Sequence, residues 1–110
     1  MARSLVVVLA GGAGGGRLAA GLSRLLSAAD LMVVANTGDD FEHLGLAVCP
    51  AIDAALYALA GLDDTAAGHG RRDDSLVFMQ TLERLGGALW WRLGDRDLAL
   101  QVTRTGRLRV

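Results

Sequence analysis

The apolar positions of the chain follow two periods. Ser4 to Ala10, "SLVVVLA", is an unbroken, β-branched apolar run, the pattern of a strand buried on both faces. From residue 15 to about 28 the period changes. Leu18, Leu22, Leu25 and Leu26 recur at helical spacing, with Arg17, Ser23 and Arg24 on the other faces. Leu31 to Ala35, "LMVVA", is a second buried strand. Strand, helix, strand with continuous apolar strands predicts a parallel βαβ unit. Residues 36 to 45, "NTGDDFEHLG", read as a polar loop. Pro50 opens a second helix carrying Ile52, Leu56 and Leu59 and stopping near Gly61. Residues 61 to 74 have no period and read as loop. Asp74 or Ser75 can cap a third helix with Leu76, Met79, Leu82 and Leu85, halted by the glycines at 86 and 87. Ala88 to Leu93, "ALWWRL", reads as a third strand in which Trp90 and Trp91 point to opposite faces. "GDRD" at 94 to 97 turns into a last helix with Leu98 and Val102 among its apolar positions.

These elements predict one α/β unit over residues 1–110, Rossmann-like and three-layered, built on parallel βαβ units with an incomplete sheet. At 110 residues and 52% hydrophobic composition the chain can build one real core. A net charge of −1 gives no general attraction to nucleic acid or anionic membranes. No apolar run is long enough to span a bilayer. Cys49 is the one cysteine, which excludes an internal disulfide and suits a cytoplasmic location. All 11 basic residues are arginine. With no lysine there is no Schiff-base chemistry and no P-loop cation, and any cationic role falls to the planar guanidinium.

The densest chemistry lies in "GGAGGGR", residues 11 to 17, between the first strand and the first helix. Gly11 and Gly16 have P-loop spacing, but Arg17 and Leu18 replace the lysine and the hydroxyl. Gly14, Gly16 and Ala19 meet the dinucleotide pattern, but Asn36 and Thr37 stand where its acidic partner belongs. Both templates share one mechanism. Backbone N–H groups of Gly12, Ala13, Gly14, Gly15 and Gly16, with Arg17 beside them, face a phosphate at a helix N-terminus. Asp39 and Asp40 follow the second strand at its carboxyl end and are candidates to hold Mg²⁺ beside that phosphate. Asp53 sits in the first turn of the second helix, as a helix-dipole acid or as an acceptor for a ligand hydroxyl or ring N–H. Arg92 closes the third strand, and Asp95, Arg96 and Asp97 form the turn after it. Glu42 and His43 read as loop residues.

Taken in order, "GGAGGGRLAAGL", "VVANTGDDFEHLGLAVCP", "IDAALYALAGL", "RLGDRDLA" and "RTGRLR" resemble the 2-phospho-L-lactate transferase family (CofD, called FbiA in actinobacteria). The resemblance runs from Leu5 to about Arg109, the N-terminal third of the family's length. It implies transfer of a phospholactyl or phosphoenolpyruvyl group from a guanosine-diphosphate-linked donor to the deazaflavin Fo, with release of GMP and a requirement for Mg²⁺, in coenzyme F-420 biosynthesis. Asp53 and Arg92 would be the Fo-binding pair, and the glycine stretch would face the donor phosphates. Ala13, Ala51, Ala54, Leu100 and Gln101 depart from the family pattern. A chain of this length is expected to be inactive alone as a transferase, and either marginally stable or self-associating through unpaired sheet edges. The residues themselves also allow a non-catalytic nucleotide- or flavin-binding module, or an NAD(P)-type dinucleotide-binding domain.

Overall fold

The computed structural model describes residues 3–109. Strand β1 (Val6–Ala10) leads into α1 (Ala13–Ser23), and a short 3-10 turn at Ala28–Asp30 delivers β2 (Leu31–Ala35). A hairpin follows, β3 (Phe41–His43) and β4 (Leu46–Val48). Helices α2 (Pro50–Ala60), α3 (Val77–Arg84) and α4 (Asp95–Leu108) complete the order. The fold is mixed α/β, with a small parallel sheet and four helices.

The predicted βαβ unit is present. β1 and β2 pair in parallel from Val6–Leu31 to Ala10–Ala35. Val8 and Ala10 are buried, whereas Val7, Leu9, Met32 and Val34 are exposed. Register places those four on one sheet face. The strands are therefore not buried on both faces, as their apolar runs suggest. Among the described residues, helices cover one side only.

α1 begins at Ala13, two residues earlier than its apolar period implies, and packs most extensively on α2. Small residues make that approach close. Ala19, Ala51, Ala55 and Ala58 are buried at the contact. A Cβ on Gly16 would lie 2.9 Å from the carbonyl oxygen of Ala54, and one on Gly15 would lie 2.6 Å from Cα of Ala10. These two glycines let helix meet helix and helix meet strand. α2 starts with Pro50 and stops at Gly61, whose φ of 71° is left-handed.

Two predicted features are corrected. Residues 36–45 are not all loop, because Phe41–His43 pairs antiparallel with Leu46–Val48. Leu44 and Gly45 turn the hairpin with φ of 53° and 75°, the double-positive geometry of a type I′ turn. The usual Asn-Gly or Asp-Gly signature is replaced by Leu-Gly, which hid the turn. The third strand is absent. Residues 88–93 form bends and extended coil without a neighbouring strand. The two tryptophans do not alternate across a sheet. Both pack on Phe41, at ring-centroid distances of 5.5 Å for Trp90 and 5.0 Å for Trp91. Aromatic packing on the hairpin holds this segment where strand pairing was expected.

The two roles for glycine on α1 separate experimentally. Gly16→Ala must push α1 off the α2 backbone and should lower unfolding stability by about 1–3 kcal/mol. Gly14 has open space around it, so Gly14→Ala should be neutral or stabilising by up to about 1 kcal/mol through helix propensity. Urea unfolding of both variants checks the pair, and equal losses would remove the packing argument.

Candidate functional site

One open cleft of about 470 Å³ gathers most of the chemistry. Gly11, Gly12 and Ala13 form one wall, where β1 turns into α1. Asp39 comes from the segment after β2, Asp53 and Tyr57 from α2, Arg92 from the coil before α4, and Asp97 and Gln101 from α4.

The floor of the cleft is a polar network between α2 and α4. Asp53 is buried, and its carboxylate is gripped by Arg104. Nη2 of Arg104 donates to Oδ1, and Nη1 donates to Oδ2 at 3.3 Å. Gln101 Nε2 donates to Oδ2 at 3.0 Å, while its Oε1 accepts from Arg104 Nη1 at 2.7 Å. The Arg104 guanidinium is pulled down by burial, but the bond and charge of Asp53 outweigh this and hold it above its ordinary value. Removing one partner of such a buried pair typically costs about 3–5 kcal/mol. Beside it, the Tyr57 hydroxyl donates to Asp97 Oδ1 at 2.5 Å. Burial, then the Asp97 bond, pushes the Tyr57 phenol up. Burial also raises Asp97, against the lowering effect of the Tyr57 bond.

Two carboxylates fix the segment that carries Arg92. Asp95, in the first turn of α4, accepts from the backbone N–H groups of Val77 and Phe78 at the start of α3, at 3.0 and 2.8 Å, and from the Ser75 hydroxyl. Asp74, just before α3, accepts from the N–H groups of Arg96 and Asp97 at the start of α4. Each helix start is thus capped by an acid from beside the other. The Ser75 and Phe78 bonds hold the Asp95 carboxyl below its usual range. Leu93, fully buried, anchors the coil next to Arg92, a burial worth about 1.5–3 kcal/mol. Arg92 itself is exposed and makes no hydrogen bond or ion pair among the described residues.

The predicted phosphate residues divide. Gly12 and Ala13 line the cleft. Among the described residues, and apart from the adjoining backbone, nothing lies within 4 Å of a Cβ placed on Gly11, Gly12 or Gly14. Gly14 and Gly15 do not line the cleft. The N–H of Gly16 already donates to the Gly12 carbonyl at 3.0 Å, as the first bond of α1. Arg17 leans the other way, over a smaller recess with His69, and reaches the Gly68 carbonyl at 3.5 Å. The acidic pair also divides. Asp39 lines the cleft, held by Asn36 Nδ2 at 3.4 Å. Asp40 faces Cys49, whose buried thiol is raised by desolvation and by Asp40, with Arg104 opposing. Among the described residues, no three His, Cys, Asp or Glu side chains converge as a metal site. Asp53 and Arg92 share the cleft, but the ion-pair partner of Asp53 is Arg104.

The chain matches the family profile of the 2-phospho-L-lactate transferase CofD over residues 6–110. It belongs to the CofD family. It is 44% identical over 104 residues to a phosphoenolpyruvate transferase of Streptomyces avermitilis, covering 94% of this chain and 33% of that protein. It is 43% identical over 119 residues to a phosphoenolpyruvate transferase of Mycobacterium tuberculosis, covering 96% of this chain and 36% of that protein. The chain spans about a third of the length of these curated relatives. Among the described residues, no helix is long and apolar enough to cross a membrane.

Within this CofD-family chain, sequence reasoning missed Tyr57 and Arg104, and took Asp97 only as a turn residue and Gln101 only as a departure from the family pattern. The signal was present on α4. Asp97, Gln101 and Arg104 with Thr105 recur at helical spacing, and this polar stripe faces inward. Gln101 and Thr105 are buried, while Val102 is exposed. Of the two apolar positions read on this helix, Val102 lies outside and Leu98 is half-buried.

The raised Asp97 carboxyl has a signed consequence. Its folded value lies above the ordinary 3.8, so ionisation is disfavoured in the folded state. Asp97 therefore contributes stability at low pH that is lost as pH rises from 3.8 through its raised value. Asp97→Asn should flatten that part of the stability curve, measured by urea unfolding over roughly pH 3 to 6. A curve still falling over the same window would assign the effect to another group.

Proposed function

We propose that this chain forms the acceptor-binding part of a transferase in coenzyme F-420 biosynthesis. Asp53 and Arg92 take the deazaflavin Fo, and the turn at Gly11–Ala13 takes the phosphates of a guanosine-diphosphate-linked donor. One observation carries this reading: the glycine turn, Asp39, Asp53 and Arg92 all line the same cleft. Family membership and the relatives' names support it. The β1–α1–β2 unit is read as the start of a Rossmann-like, three-layered sheet, with its ligand at the carboxyl ends of the strands.

The reaction joins the terminal ribityl oxygen of Fo to the phosphorus of the phospholactyl or phosphoenolpyruvyl group. The bond from that phosphorus to the bridging oxygen breaks. GMP leaves with the bridging oxygen, and the hydroxyl proton is released. The work of the protein is positioning and charge neutralisation. Arg92, exposed and without a partner among the described residues, supplies its guanidinium to an acceptor on the ring or to an anionic group. The first-turn N–H groups of α1 face the donor phosphates. Mg²⁺ fits at Asp39, since one carboxylate plus phosphate oxygens is an ordinary set of Mg²⁺ ligands. When bound it neutralises phosphate charge. Asp40 does not line the cleft.

Titration of Fo fluorescence tests the acceptor half. Arg92→Ala should weaken Fo by about 1.5–3 kcal/mol, the scale of a charge-assisted hydrogen bond. An unchanged dissociation constant would remove Arg92 from the site. For the donor half, Gly12→Val adds bulk where no other side chain or distant backbone of the described residues lies within 4 Å of the Cβ position. It should weaken GDP more than Arg17→Ala does, because Arg17 points into the other recess. The reverse order, read by calorimetry, would move the phosphate site to Arg17.

A further inference from the structure

The carboxylate of Asp53 is nearly filled before any ligand arrives. An ionised carboxylate offers about four acceptor directions on its two oxygens. Two are taken outright, by Arg104 Nη2 on Oδ1 and by Gln101 Nε2 on Oδ2 at 3.0 Å, and a third on Oδ2 is partly occupied by Arg104 Nη1 at 3.3 Å, whose two protons are shared with Gln101 Oε1 and the Ala47 carbonyl. Gln101 cannot easily turn away. Its Oε1 accepts from Arg104 Nη1 at 2.7 Å, its Nε2 also approaches Asp97 Oδ1 at 3.4 Å, and the residue is buried. Arg104 is tied in turn to the hairpin through the Ala47 carbonyl at 3.1 Å. The Asp53 charge is balanced by Arg104 at contact distance, so the pair presents no net charge to the cleft.

We propose that Arg104 and Gln101 are positioning residues that limit Asp53 to one remaining acceptor direction. Asp53 then selects a single neutral O–H or N–H donor on the ligand. It refuses a divalent cation, and it refuses a donor edge that needs two adjacent acceptor positions. This deepens the reading of Asp53 as an Fo-binding residue and rests on it. It also divides labour within the cleft, with neutral donor recognition at Asp53 and metal at Asp39.

The test uses the chain with Gln101→Leu, Arg104→Met and Arg104→Lys, and with Gln101→Leu repeated in an Asp53→Asn background. Mn²⁺ is the first probe, read by paramagnetic broadening of amide signals around Asp53. Wild type and Arg104→Lys, which keeps the cation, should show no broadening centred on Asp53. Arg104→Met, which exposes an unbalanced carboxylate, should bind Mn²⁺ there at least about tenfold more tightly than wild type. Fo is the second probe. Gln101→Leu should lower affinity about fivefold with Asp53 present and less than about twofold in the Asp53→Asn background, because its effect runs through that carboxylate. Should Arg104→Met fail to fold, the Gln101 cycle decides. Mn²⁺ seated at Asp53 in wild type, or equal Fo losses in both backgrounds, would overturn the proposal. Failure of Fo to bind wild type would sink the proposed function and leave the Mn²⁺ comparison to judge this inference alone.

Discussion

Asp53 opens α2 and Arg104 lies near the end of α4, 51 residues further along the chain. Their buried ion pair is the constraint around which the cleft is arranged. A carboxylate out of water must be paired or neutralised. Pairing it with Arg104 draws α4 across α2, and the same guanidinium reaches the hairpin at Ala47. Thr105 adds a second tie by accepting from the Ala47 N–H at 2.8 Å. Helix, helix and hairpin therefore meet through charge and hydrogen bonds. On the other side of α2 the contact is of a different kind, where alanines and Gly16 bring α1 in through close apolar packing. α2 is thus two-sided, apolar toward the sheet layer and polar toward the cleft.

The first half of the fold was legible because its information is local. β-branched runs gave the two strands, and Pro50 and Gly61 marked the bounds of α2 in the sequence. "ALWWRL" misled because strand propensity describes a residue's fit to a neighbouring strand, and none is there. The Trp residues find Phe41 instead. The hairpin was hidden by the Leu-Gly turn. The last helix was legible as a helix but its polar inward face was not: that face carries Gln101, Arg104 and Thr105, since it packs on a buried carboxylate.

The site was legible in outline and not in its pairings. The motifs pointed to the glycine turn and Asp39, the family resemblance paired Asp53 with Arg92, and the structure places these residues along one cleft. Which cation balances Asp53 depends on chain closure over a long loop, and nothing local encodes it. The glycine-rich stretch shows a second limit. A run that looks like one phosphate loop divides between two tasks, with Gly15 and Gly16 needed for close packing while Gly11, Gly12 and Gly14 border open space. The resemblance to the CofD family, carried by ordered motifs and not by any single one, is borne out by the family match.

The exchanged caps of α3 and α4 have a consequence for dynamics. The N–H groups that begin α3 are satisfied by Asp95, and those that begin α4 by Asp74. Neither helix start can fray without removing the acid that closes the other. Local opening at this corner is thereby made concerted, a small cooperative unit in place of two independently loosening ends. Arg92 and Leu93 lie on the short coil leading into that corner. The guanidinium offered to the cleft is therefore free in its side chain and carried on a backbone that opens only when both helix starts open together.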